Sequence, residues 1–281
     1  MSNNIIDKVV LVTGCSSGIG LATALLLKSK GARVIATARK QSDVTSLSID
    51  HYLESYVMDL SSDLSIRTTL NHILINTNNR IDILFHNAGY AQPGAVEDLP
   101  TEVLRENFAT NFFGVHELTR LVLPHMHQYG GGKIIINSSV LGFVAMPFRS
   151  AYNASKFALE GWADTLRLEV YDSGITVSLL EPGPINTQFR SNALKAYKTN
   201  INTTTSRYEH QYRQLEEKFS SEKSASSFAL SAEQCAEQVY KIAIANKSGI
   251  RYKVTVPTYI FATLKRLLPT VILDKLLARG I

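Results

Sequence analysis

The chain has 281 residues, 45% of them hydrophobic and 19% charged, the balance of one large α/β domain or at most two small ones, with length enough to bury a sizeable core. Two cysteines, Cys15 and Cys235, with no CxxC and no Cys/His cluster, exclude a disulfide framework or a structural zinc site and favour reduced thiols in a cytoplasmic protein. The net charge of +5 sits in the tail: residues 251–281 hold six basic groups against Asp274, the other 250 residues balance at 23 of each sign, and a nucleic-acid-binding surface over the body is not expected.

The N-terminal segment is too polar for a signal peptide and leads into a first buried strand over residues 9–13. A glycine-rich turn follows, then a helix over 21–28 with Gly31 as its C-cap glycine. Strands are predicted over 33–37 and 55–58, and a helix over 63–78 with Leu64, Leu70, Ile73 and Leu74 on one side. A fourth strand covers 81–85 and a long helix 102–126. A fifth strand covers 133–137, a helix 152–171 and a sixth strand 176–180. This alternation predicts a doubly wound (Rossmann) α/β fold, one domain over 1–281 whose parallel sheet is covered by helices on both faces. Ligands in such folds bind at the carboxyl ends of the strands.

Two segments stand apart. Residues 188–230 are polar and rich in serine, threonine and tyrosine, and read either as a linker or as a helical substrate-loop insertion over a cleft. Residues 254–281 intersperse apolar and basic side chains and are broken by Pro269, too short a run to span a bilayer. This amphipathic segment has three candidate seats: an anionic membrane surface, its own domain, or a partner subunit.

The turn Thr13-Gly14-Cys15-Ser16-Ser17-Gly18-Ile19-Gly20 links the first strand to its helix. Gly14 permits the tight turn, Gly18 lets backbone approach a pyrophosphate, and Gly20 lets helix and strand pack closely. Ser16, Ser17 and Ile19 complete a phosphate cradle at a helix N-terminus, where free N–H groups and the dipole favour an anion. After the second strand, where NAD-binding chains place an acid for the ribose 2′-hydroxyl, stand Ala38, Arg39 and Lys40. No carboxylate repels a 2′-phosphate there and Arg39 can clamp one, which points to NADP(H). Asp59, ending the third strand, is placed either to accept from an adenine amino group or to act as an ordinary helix N-terminal acid.

Tyr152 and Lys156 are four residues apart at the start of a helix and share a face. Free tyrosine has a pKa near 10, too high for acid/base work at neutral pH, and a nearby ammonium lowers it. Thirteen residues earlier, just after a strand, Ser139 is placed to polarise a carbonyl oxygen; Ser138 is the second-ranked alternative. The pair His125 and His127 lacks a third ligand nearby, so no metal site is expected.

With these residues in hand the sequence resembles the short-chain dehydrogenase/reductase family. The matches run in order from Thr13 to Thr187: the glycine motif, Asn87-Ala88-Gly89, Asn111, Ser139, Tyr152, Lys156, and Pro182-Gly183 with Thr187. The resemblance implies a catalytic tetrad of Asn111, Ser139, Tyr152 and Lys156. Tyr152 would move the proton and Ser139 orient the substrate. Lys156 would lower the tyrosine pKa and hold the nicotinamide ribose, and Asn111 would anchor a water in a relay through Lys156. It also implies cofactor contacts from Asn87, Ala88, Gly89, Pro182, Gly183, Ile185 and Thr187, and a homo-oligomer, dimer or tetramer. His86 departs from the asparagine common at its place, and Cys15 from alanine; a polar strand-end residue and an inert thiol are the expectations.

Leu141 and its apolar neighbours follow Ser139, and Phe189 follows the Pro182 turn, so substrate contacts are expected from Ser139, Leu141, Tyr152 and Phe189. A lipid-, steroid- or retinoid-like carbonyl or alcohol fits such a pocket. The tail is similar to that of short-chain enzymes acting on hydrophobic substrates. The rival class is a non-catalytic NADP-binding sensor, which would have no use for Tyr152 beside Lys156.

Overall fold

Successive side chains of a strand point to opposite faces of its sheet. On β1 (Val9–Val12), Val9 and Leu11 enter one hydrophobic core while Val10 and Val12 enter the other. The same alternation marks Leu84 against Ile83 and Phe85, and Ile134 and Ile136 against Ile135, so the sheet is buried on both sides. The computed structural model describes residues 4–220 and 227–278.

In chain order the elements are β1, α1 (Gly18–Ser29), β2 (Arg33–Ala38), α2 (Gln41–Ile49), β3 (Glu54–Val57), α3 (Asp63–Asn76), β4 (Ile83–His86), α4 (Thr101–Phe108), α5 (Gly114–Gln128), β5 (Gly132–Asn137), α6 (Ser150–Glu169) and β6 (Ile175–Glu181). There follow β7 (Ile185–Asn186), α7 (Phe189–Asn200), α8 (Glu209–Ser220), β8 (Leu230–Ser231), α9 (Ala232–Ile244), β9 (Arg251–Lys253), α10 (Val256–Leu267) and α11 (Thr270–Leu277). The sheet runs β3-β2-β1-β4-β5-β6-β9, parallel throughout. Strand order reverses between β1 and β4, and the loops leaving those two strands flank the crevice that such a reversal opens. Helices α3, α5 and α6 cover one face, and α1, α2 and α9 the other. Gly31 takes φ +90° and ends α1 as a C-cap glycine.

The structure departs from the sequence reading in instructive places. Leu64 is 75% exposed, and Ile66 holds the buried place on α3. The helix expected over 102–126 is interrupted at Ala109–Phe113 by a wide π turn. There Gly114 lies so close to β3's loop that a Cβ would stand 2.0 Å from the Leu60 carbonyl oxygen. Four elements beyond 180 had no counterpart in that reading: β9, the short β7–β8 ladder and α9. Helix α9 does carry a sequence signature, a capping box of Ser231 and Gln234 followed by inward Cys235, Ala236, Val239 and Ile242. The 188–230 segment is a helical insertion, α7 and α8, with its residues 221–226 outside the described part. Tyr197 and Tyr212 seat it on the body; the Tyr212 hydroxyl accepts from the Ala95 N–H and donates to Asp98. Of the three seats open to the tail, the inner faces of α10 and α11 occupy their own domain, with Leu273 and Leu277 buried. No helix among the described residues is long and apolar enough to cross a membrane.

Candidate active site

The glycine loop, the loop after β4 and the turn after β6 meet at one end of the sheet. Gly14 (φ +71°) has no room for a side chain, since a Cβ would lie 2.7 Å from the Ala88 Cα. A Cβ on Gly20 would lie 2.3 Å from the Gly14 carbonyl oxygen and 2.4 Å from Asn87 Nδ2. Gly18 (φ +59°) faces Thr187 at 3.2 Å in the same sense. Ser17, the N-cap of α1, makes no side-chain cap, so N–H groups of the first turn remain open beside this bare backbone. That is a cradle a Cβ would fill, and the residues present fit the diphosphate of a dinucleotide.

Asn87 is occupied by the loop itself. Its Nδ2 donates to the carbonyls of Thr13 (3.1 Å) and Gly14 (3.0 Å), and its Oδ1 accepts from Asn137 (3.0 Å). Its backbone N–H and that of Ala88 donate to the Thr13 hydroxyl. Asp59 Oδ1 accepts from the N–H and the hydroxyl of Ser61 in the turn before α3. Ala38 is buried at the end of β2, while Arg39 is exposed and paired with no carboxylate among the described residues. Pro182 accepts from the Val140 N–H at 2.9 Å, tying the turn after β6 to the turn after β5. Gly183 abuts Thr255 and Thr258, Ile185 lies in β7, and Thr187 caps the first turn of α7.

Helix α6 carries Tyr152 and Lys156 on the face toward this crevice. Lys156 Nζ donates to the Asn137 carbonyl at 2.7 Å and lies 5.7 Å from the Tyr152 ring centroid. Asn111, fully buried at the π turn, accepts from the Tyr90 N–H and donates to Tyr90 O, Asn107 and Ser155. It stands with Lys156 around Gly89, whose Cβ would meet Asn111 Oδ1 at 3.1 Å and Lys156 Nζ at 3.8 Å. Asn107 and Ser155 were not singled out in the sequence; their only signal is spacing, four residues before Asn111 and one before Lys156. Ser138 Oγ donates to Glu160.

Burial dominates the titration of the pair. It pushes the Tyr152 phenol up to about 12, against a hydrogen bond from Ser139 that favours the phenolate. It pushes Lys156 down to about 8, with Glu160 pulling the other way. The lowering of Tyr152 by Lys156 expected from their spacing is not seen: desolvation raises the phenol and only the Ser139 hydrogen bond acts the other way. His86 and Cys15 behave as expected of bystanders. His86, held near 3 by burial, shares a 2.8 Å hydrogen bond with Thr119; Cys15 is a buried thiol pushed up to about 12.

Around Tyr152 the surface is apolar. Phe189 meets its ring edge-on at 5.5 Å between centroids, and Leu141, Val144, Ala193, Leu273 and Leu277 complete the buried cluster. The tyrosine is thus roofed by the insertion and the tail together. No group of His, Cys, Asp and Glu among the described residues has the geometry of a metal site.

The sequence model described as short chain dehydrogenase matches residues 8–198. An uncharacterized oxidoreductase of Escherichia coli, YbbO, is 38% identical over 277 residues, 99% of this chain and 96% of that protein. A 3-ketodihydrosphingosine reductase of Bacteroides thetaiotaomicron is 38% identical over 185 residues, 66% of each chain. A crystal structure of a short-chain dehydrogenase from Streptomyces avermitilis superposes with a TM-score of 0.75 at 27% identity, covering 98% of both chains. The chain belongs to the short-chain dehydrogenase/reductase family of nicotinamide-dependent oxidoreductases.

Proposed function

We propose that this protein is an NADP(H)-dependent reductase or dehydrogenase interconverting a carbonyl and an alcohol on a hydrophobic, lipid-like substrate. The observation that carries the reading is Tyr152 beside Lys156 on one face of α6, the phenol buried in an apolar cluster next to the glycine cradle. The relative named as a 3-ketodihydrosphingosine reductase supports the lipid-like class. Exposed Arg39 beyond buried Ala38 supports NADP(H) over NAD(H).

The glycine loop with Ser16, Ser17 and Ile19 would hold the diphosphate, Arg39 the 2′-phosphate, and Ala88, Gly89, Pro182, Gly183, Ile185 and Thr187 the rest of the cofactor. When bound, the nicotinamide supplies the hydride in reduction and takes it in oxidation. Ser139 donates to the substrate oxygen and fixes it beside Tyr152. Tyr152 gives its proton to that oxygen in reduction and takes it back in oxidation. Lys156 stabilises the phenolate left behind, and Asn111 keeps Lys156 and the Tyr90 loop in register. Leu141 and Phe189 hold the apolar body of the substrate and exclude water.

The tail contributes a second surface. Tyr259, Ile260, Leu267, Val271, Ile272 and Leu276 are exposed on α10 and α11, with exposed Arg266 and Lys275 among them. This face suits peripheral attachment to an anionic membrane, from which a lipid-like substrate would come. Exposed Phe113 beside Phe108 and Phe112 supports a homo-oligomer, and a light-scattering mass of one chain would overturn that part.

The test is NADPH consumption by the purified protein over a panel of apolar carbonyls: 2-decanone, retinal and 9,10-phenanthrenequinone. Tyr152→Phe should lower turnover by at least about a hundredfold. Turnover unchanged by that substitution overturns the mechanism, and a wild type that reduces none of the three overturns the substrate class.

A further inference from the structure

Beyond Lys156 on α6 lies a cluster of charges that the reaction as described does not use. Glu160 is one helical turn beyond Lys156 on α6 and is buried. Glu181, at the end of β6, is buried still more deeply, at 1% exposure. Two carboxylates so placed repel each other and are poorly hydrated. One guanidinium reaches both. Arg251, from β9, approaches Glu160 Oε2 at 3.0 Å and Glu181 Oε1 at 3.3 Å through Nε, and Asp164 Oδ2 at 2.7 Å through Nη2.

The other oxygen of Glu160 leads to the active site. Glu160 Oε1 accepts from the Ser138 hydroxyl at 2.5 Å. The Val140–Gly142 turn lies directly on this pair, since a Cβ on Gly142 would stand 2.6 Å from Ser138 Oγ and 3.1 Å from Glu160 Cγ. Ser138 also donates its N–H to the Leu180 carbonyl at 2.8 Å, one residue before Glu181. Ser139 is therefore carried on a turn whose one flank is fixed by Glu160 and whose strand neighbour ends in Glu181.

We propose that Arg251 is a positioning residue for the reaction: by bridging the buried carboxylates of Glu160 and Glu181 it holds the Ser138 turn, and with it the Ser139 hydroxyl, against Tyr152. The inference rests on the roles given above to Ser139 and Tyr152. Without the guanidinium, the two carboxylates, where both are ionised, drive α6 and the end of β6 apart, and the serine between them loses its place. The other charges facing the pair do not replace it. Lys253 comes no nearer to Glu181 than 3.9 Å, Asp164 has its own partner in Arg167, and Arg266 and Lys156 act only through the field. Burial raises both carboxyls, Glu181 to about 7 even with Arg251 lowering it, so a pair deprived of Arg251 takes up a proton at a higher pH still.

The experiment measures kcat and KM for Arg251→Met with the fastest-reduced carbonyl of the panel, at pH 9.5 and pH 7, beside Tyr152→Phe and with the wild type as reference at each pH. A displaced hydroxyl should lower kcat by about tenfold or more relative to the wild type at pH 9.5, where both carboxyls are ionised, and leave KM within about threefold. Acidification to pH 7 should restore part of that loss, because one carboxyl is then neutral. The double variant Arg251→Met/Glu181→Gln, which removes the repulsion without restoring the cation, should recover activity at pH 9.5. Arg251→Lys keeps the charge without the fork and should fall between wild type and Arg251→Met; it carries the test if the methionine variant does not fold. A variant that melts earlier but keeps the wild-type kcat and pH profile overturns the proposal, as does a loss that Glu181→Gln does not relieve. A fully active Tyr152→Phe would overturn the underlying reading instead.

Discussion

Lys156 and Tyr152 share a face of α6, yet the lysine ammonium donates to the Asn137 carbonyl at 2.7 Å and stands 5.7 Å from the tyrosine ring centroid. The amine is held by the strand beside it, and its proton is weakened by burial.

This sets an expectation for pH. In the reducing direction Tyr152 must be protonated, and with the phenol near 12 it stays so across the working range. Lys156 loses its charge as pH rises through about 8. The rate of reduction should therefore fall on the alkaline side with an inflection near that value. Lys156→Arg, which keeps its charge to about pH 12 or beyond, should have a lower plateau and no such inflection. A steady-state pH profile over the panel substrate decides it. A flat wild-type profile between pH 7 and pH 10 would remove Lys156 from the mechanism.

Cofactor choice rests on a short stretch after β2. Arg39→Asp places a carboxylate where a 2′-phosphate would lie and removes the cation. The ratio of kcat/KM for NADPH over NADH should drop by about a hundredfold or more, the combined effect of losing one charge-assisted contact and adding one repulsion. An unchanged ratio would reassign the 2′-phosphate contact away from Arg39.

His86 should make the fold acid-sensitive. Its folded pKa, about 3, lies below the unfolded value near 6.5, so the folded state resists protonation. The stability this reflects is complete above the unfolded value and is lost as pH falls from about 6.5 toward 3. Between pH 7 and pH 5 the contribution amounts to about 2 kcal/mol. His86→Asn has nothing to titrate there and can still bond Thr119. Its urea midpoint should vary less with pH over that interval, and equal slopes for the two proteins would refute the assignment.

The outer face of α10 and α11 is testable without disturbing its inner one. Ile260→Glu with Val271→Glu alters exposed positions and leaves buried Leu273 and Leu277 in place. Intact protein should sediment with phosphatidylserine-containing vesicles at low salt and less so as salt rises, since the basic residues act through a screened field. The double variant should remain in the supernatant while reducing a water-soluble carbonyl at the wild-type rate. Intact protein that never sediments would dismiss the membrane reading.

Local chemistry carried much of this protein in its sequence. Strand alternation, the bare glycines at the entry to α1, and the spacing of Tyr152 and Lys156 depend on neighbours in the chain, and the six strands expected are all present. The tertiary structure alone decided what depends on partners far apart in sequence. Whether Lys156 lowers the tyrosine or is itself lowered depends on burial by segments from across the chain. The placement of Asn111 depends on a π turn that ends where Gly114 packs against Leu60, a contact between segments far apart in the chain. The seventh strand is three residues long and polar, Arg251–Lys253, and has no periodicity to announce it. It becomes a strand because β6 offers an open edge and because Arg251 finds Glu160 and Glu181 waiting there.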